Sequence, residues 1–212
     1  MNTTEIKTKG IVKTWPDLWK YAEKQFLAYE KIEGIEDWEE HDFSIDCSED
    51  QMRFKDMLQI RCVEELTEAT HALDNEEHFW EEITDAINFF LSAYVMLGKD
   101  LSKMPKPTSM VFLGNSDFSF ADLTARKKRE ELYAAFYQIV DAIGDLCNLL
   151  KNRPWAQSNY LVSMLDFEKR AKALWIVFWS TIDWLLNGRM EKIFDLFERK
   201  YLVNDWRIKT GY

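Results

Sequence analysis

The sequence predicts an all-α protein, a bundle of about six helices. Three observations carry this expectation. The 212 residues include only seven Gly and four Pro, so few positions break a helix. Apolar residues recur at helical spacing over long stretches. No run of any length alternates apolar and polar residues as a half-buried strand does. Hydrophobic residues make up 47% of the chain and aromatics 15%, with nine Trp, which is ample for a packed core and excludes general disorder. One domain over residues 1–212 accounts for the length, with tails at 1–13 and 204–212.

The elements follow in order. Thr14 before Pro16 forms an N-cap with proline in the first turn, opening a helix that runs to about Lys31 and ends at Gly34. An acidic connection, Ile35 to Cys47, reads as loop. Ser48 and Gln51 have capping-box spacing, and a second helix runs from there to about Leu73. Asp74-Asn75 breaks it, and a third helix covers Glu76 to Leu97, stopping at Gly98. Residues 99–118 hold Pro105, Pro107 and Gly114 and form the longest loop. A fourth helix spans about Phe120 to Asn152, and a fifth about Gln157 to Leu186, closed by Asn187-Gly188. A short sixth helix, about Met190 to Val203, leads into a polar tail.

Composition excludes several classes of function. A net charge of -10 argues against a nucleic-acid partner, which calls for a basic stripe. A small anionic substrate stays open, because bound cations invert the local field. The three cysteines lack CxxC spacing and suggest a reduced, cytoplasmic compartment. The stretch MNTTEIKTKG has no apolar core, so no signal peptide is expected. The most apolar run, Ala173 to Leu186, is shorter than the roughly 20 residues a membrane span needs, and Asp183 interrupts it. It reads as a core or dimer helix, with Trp175, Phe178, Trp179 and Trp184 available for either role.

The chemistry concentrates in two acidic pairs, Glu65-x-x-Glu68 and Glu82-x-x-Asp85, with thirteen residues between them. Carboxylates three apart share a helical face. At about 100° per residue, Glu65 shares a row with Leu58, Ala69 and Ala72, and Glu82 with Ala86, Phe89 and Ala93. Glu77 and Glu81 project from the opposite, solvated side. Burying isolated charges costs many kcal/mol, so basic side chains or divalent cations must meet the four acids. No Lys or Arg column lines up opposite them, which favours metal. Mg²⁺ prefers oxygen ligands and shares them with substrate phosphates, and acids on two antiparallel helices suit two or three such ions, with Mn²⁺ as a substitute. A di-iron centre needs Glu-x-x-His from each of two helices; Glu68-x-x-His71 supplies one, and neither His41 nor His78 completes a second. His71 reads as a solvent-edge residue. No GxSxG or Gly-rich phosphate loop occurs. Ile83-Thr84-Asp85-Ala86-Ile87 recurs loosely as Ile139-Val140-Asp141-Ala142-Ile143, the pattern a decayed helix-pair duplication leaves.

The order ExxE, short gap, ExxD in paired helices resembles the all-α nucleoside triphosphate pyrophosphohydrolases (MazG-like), closest to the dimeric dUTPases and the phage dCTP/dUTP pyrophosphatases. Glu82-Ile-Thr-Asp85-Ala-Ile-Asn88-Phe-Phe-Leu91 resembles the family's second metal helix, and Lys200 to Tyr212 resembles its tail KNxxNxFRQxxGY. The resemblance implies a homodimer with a four-helix metal-binding core. It also implies a Mg²⁺-dependent reaction in which metal-activated water attacks the α-phosphorus of dUTP or dCTP, releasing the nucleoside monophosphate and pyrophosphate. Carried over by position, Glu65, Glu68, Glu82 and Asp85 match the metal ligands and catalytic acids, and Lys200, Asn204, Arg207 and Tyr212 match the phosphate-closing tail. Gln25 matches a residue that reads the base and Asn88 stands where a histidine contacts the sugar. The chain departs from the family at Tyr29, where an Asn is usual, and at Tyr201 and Ile208 in the tail. A broad-specificity pyrophosphatase and a catalytically silent helical interaction protein are the alternative readings.

Overall fold

The computed structural model describes residues 8–32, 43–98, 103–105, 120, 126–150, 162–189 and 191–211. Among these residues the chain forms six helical rods and no strand. The first, α1 (Trp15–Ile32), starts where the sequence predicts. The Asp17 carboxylate accepts from the backbone N–H groups of Lys13 and Thr14 at 3.1 and 3.0 Å and from the Thr14 hydroxyl at 2.8 Å. Those bonds satisfy donors that helix geometry leaves open.

The second rod is continuous but not uniform. It runs as α2 (Ser48–Lys55), a π-helical segment Asp56–Cys62, and α3 (Val63–His71). The capping box expected at Ser48 and Gln51 is not formed. Cys47 is the N-cap residue and no side chain caps the turn. Asp50 instead accepts from Ser44 N–H at 2.8 Å, and Gln51 Nε2 donates to the Ile45 carbonyl at 2.6 Å, folding the preceding loop back onto the helix.

The centre of the molecule is α4 (Glu76–Met96), which packs against α3, the π-helical segment, α1 and α7. Phe79, Ile83, Ala86, Ile87, Phe90, Leu91 and Tyr94 are fully buried along it. Asn75 caps its start by accepting from His78 N–H at 3.2 Å. The helices α5 (Arg126–Cys147) and α6 (Met164–Leu185) pack on each other. The described part of α5 gives way to a turn after Cys147, short of the predicted end at Asn152. Ser163 caps α6 by accepting from Asp166 N–H. Residues 157–161 of the predicted span, Gly34 and most of the 99–118 loop lie outside the described residues. The predicted stop at Asn187-Gly188 is present: both have positive φ, 53° and 71°, and Gly188 N–H donates to the Asp183 carbonyl at 2.9 Å.

The last rod, α7 (Lys192–Thr210), corrects the sequence reading. It neither stops near Val203 nor yields to a polar tail: Val203 and Asn204 are buried, and the helix runs on for nearly two further turns to Thr210. It ends at Gly211, whose φ of 67° is the left-handed cap. Glu198, fully buried on α7, accepts from the backbone N–H groups of Lys9, Ile11 and Val12, holding residues 9–12 against this helix. Trp175, Phe178 and Trp179 are buried among Phe90, Tyr94, Trp15 and Trp19, so three of the four aromatics available for a dimer surface belong to the chain's own core. No described helix is long and apolar enough to cross a membrane.

Replacing Asn75 with Ala leaves the first turn of α4 without its cap. The expected loss is about 1 kcal/mol, read as a lower denaturant midpoint with an unchanged slope.

Candidate metal and phosphate site

The antiparallel pairing of α3 with α4 brings one acid of the first pair to both acids of the second. Carboxylate oxygens of Glu65, Glu82 and Asp85 all lie within 4.8 Å of one another. Glu82 is 8% exposed, while Glu65 and Asp85 are half-buried. The fourth predicted ligand, Glu68, is exposed and stands outside this group, although its charge still acts on Glu65.

The electrostatics record the crowding. Burial, a hydrogen bond to Glu82 and the charges of Asp85, Glu82 and Glu68 together push the Glu65 carboxyl up to about 8. This crowding favours a proton shared within the Glu65–Glu82 contact. Glu82 also meets His78, whose Nε2 lies 2.6 Å from Glu82 Oε1. Burial raises the Asp85 carboxyl too, and the nearby Lys200 ammonium partly reverses that effect.

Lys200 corrects the expectation that no basic side chain faces the acids. It reaches across from α7 and donates to Asp85 in a half-buried ion pair. Lys200 also draws down the carboxyl of Glu81, which is half-buried and raised by burial rather than solvated as its wheel position suggests. Glu77 is exposed as expected, and so is His71.

Glu65, Asp85 and Lys200 stand in the wall of a cleft of about 850 Å³, whereas Glu82, Glu68 and His78 are not among its lining residues. Of the sequence-predicted residues, Glu65, Asp85, Lys200, Asn204, Arg207, Gln25 and Asn88 line it. Tyr212 lies outside the described residues. Helices α1, α4 and α7 and the second rod each contribute a wall, so the cleft exists only because all four pack together. Tyr29, at the position where the resembling family has Asn, stands close enough to Arg207 and Asp85 to feel both charges. Comparisons with protein-family models, curated proteins and solved structures found no match.

The three-carboxylate group suits a hard divalent cation. It offers only oxygen donors, and its own repulsion, visible in the raised Glu65 carboxyl, is what a doubly charged ion relieves. Opposite it, Lys200 and Arg207 add positive charge, a point ammonium and a planar fork that match phosphate oxygens. The arrangement can bind a polyanion together with its counter-cation.

Sequence reasoning missed three contributors. Arg61 precedes Glu65 by four residues and lines the cleft with its guanidinium over the Phe89 ring. Arg53, also at the cleft, pairs with the buried Glu30 of α1. His78 precedes Glu82 by four residues, a spacing that flags the contact in advance.

A carboxyl raised in the folded state binds its proton more tightly there than in the unfolded chain. Its contribution to stability is complete below the ordinary value of 4.5 and is lost as pH rises toward about 8. Metal-free protein should therefore lose thermal stability between those pH values, and Glu65→Gln should flatten the profile. An unchanged slope in that variant would remove Glu65 as the source.

Proposed function

We propose that this protein is a Mg²⁺-dependent deoxynucleoside triphosphate pyrophosphohydrolase, acting on dUTP or dCTP to give the nucleoside monophosphate and pyrophosphate. The observation that supports it is the cluster of Glu65, Glu82 and Asp85, two of whose members, Glu65 and Asp85, share one cleft with Lys200 and Arg207 of α7. Glu65, Glu82 and Asp85 would hold the cation, with His78 fixing the orientation of Glu82. When bound, the cation supplies charge for the phosphates and acidifies a water for in-line attack on the α-phosphorus.

The chain's own side chains do the rest. Lys200 can exchange its bond to Asp85 for a phosphate oxygen, carrying α7 onto the substrate. Arg207 contacts the phosphates as a fork and offsets charge that develops on the leaving pyrophosphate. Asn204, 4% exposed at the cleft wall, anchors the α7 face that carries both cations.

One observation favours a second reading. The Lys200–Asp85 ion pair already satisfies one of the acids, as a helical interaction protein without a cation would require. The two readings separate in a pyrophosphate-release assay over a panel of deoxynucleoside triphosphates, with Mg²⁺ and with a chelator. Release from dUTP or dCTP only in Mg²⁺ is expected, and no release from any of them sinks the enzyme reading. Glu82→Gln should lower turnover by at least about a thousandfold while circular dichroism shows the same helix content. Arg207→Ala should act mainly on the Michaelis constant, raising it about tenfold.

A further inference from the structure

The stretch of cleft beyond the carboxylates has a lining of its own. The rod that carries Glu65 is π-helical over Asp56–Cys62, and this segment with the end of α2 turns nearly every residue from Met52 to Arg61 toward the cleft. A π segment widens the turn and rotates successive side chains off a single face, a feature common at functional sites. Its last cleft-lining residue, Arg61, is half exposed, and its guanidinium carbon lies 5.9 Å from the centroid of the Phe89 ring. Arg61 sits four residues before Glu65 and Phe89 four residues after Asp85. The Arg61–Phe89 pair is therefore displaced by about one turn from the acids on both helices.

Among the described residues Arg61 pairs loosely with Asp56 at 3.5 Å, and both ends of that pair are about half exposed. A guanidinium that lies over an aromatic ring still presents its plane to a second flat group. The same cleft is lined by Gln25 and Asn88, each 8% exposed. Among the described residues the buried Oε1 of Gln25 has no hydrogen-bond partner, and Asn88 Nδ2 makes no close hydrogen bond although its side chain draws down the Asp85 carboxyl. A buried amide atom without a partner is costly and calls for a ligand with a polar edge. A flat surface that shares its cleft with two buried amides suits a heteroaromatic ring, not another phosphate.

We propose that Arg61, over the Phe89 ring at cation–π distance, is the platform on which the substrate's nucleobase lies, with Gln25 and Asn88 at the edge of the base. This assignment rests on the nucleotide reading given above. It makes Arg61 a determinant of nucleoside binding, distinct from Lys200 and Arg207, which face the phosphates.

The test is equilibrium binding by titration calorimetry, using a non-hydrolysable α,β-imido dUTP and inorganic tripolyphosphate as probes, both in Mg²⁺. Wild type, Arg61→Lys and Arg61→Leu are compared, with Phe89→Leu as the partner variant. Lysine keeps the charge but not the plane. Both Arg61 variants should weaken the nucleotide by about tenfold or more, the range that stacking on a planar side chain commands, and leave tripolyphosphate unchanged. Equal weakening of both probes would make Arg61 a phosphate contact and overturn the platform. Full nucleotide affinity in Arg61→Lys would overturn it as well. Failure of the wild-type protein to bind either probe would instead refute the nucleotide reading itself. A variant that melts early is replaced by Arg61→Gln, a shorter and neutral side chain, held to the same two outcomes.

Discussion

Mutual repulsion of acid groups governs this structure. Glu65, Glu82 and Asp85 come from two helices that pack for ordinary apolar reasons, through Leu58, Cys62, Leu66, Ile83, Ala86 and Phe90. The packing leaves their oxygens within 4.8 Å, a separation that three ionised carboxylates do not tolerate in a half-dry cleft. The chain answers locally in three ways: a proton shared within the Glu65–Glu82 contact, an imidazole at Glu82 and an ammonium at Asp85. Each answer is of a kind that a divalent cation or a phosphate can displace.

The helix that supplies the ammonium matters as much as the acids. Because α7 stays helical to Thr210, Lys200, Asn204 and Arg207 project along one rigid face toward the cleft. The same spacing in a polar tail would leave three unrelated side chains. The buried Val203 and Asn204 turn a stretch with modest helical signals into a packed element, and this is where tertiary contacts override local preference.

Much of the fold was legible from spacing and caps. The start of α1 at Thr14-Pro16, the start of α4 at Asn75 and the stop of α6 at Asn187-Gly188 follow from side chains that bond their own backbone, a short-range matter. The convergence of Glu65 with Glu82 and Asp85 was legible for a different reason, since helical period puts each pair on the apolar side of its helix and the two helices pack on each other. Three features were not. The π-helical register of Asp56–Cys62 changes which side chains share a face without changing composition. The pairing of Lys200 with Asp85 joins residues 115 positions apart, beyond any local pattern. The Ser48 cap lost to Asp50 and Gln51 because both found partners in the preceding loop. Glu68 shares its spacing with Glu65 yet faces solvent, so an ExxE pair alone does not say how many of its members turn inward.

The seat of Glu198 sets an order of events during synthesis. Its carboxylate collects the amide hydrogens of Ile11 and Val12, 187 and 186 positions upstream. Until the ribosome has delivered α7, those amides can bond only to water, and the loop that closes when the acid arrives encompasses almost the whole polypeptide. The helix that brings the cations to the cleft is thus also the clasp between early and late chain. A nascent polypeptide interrupted before residue 198 would hold all three clustered acids and neither their ammonium nor their clasp.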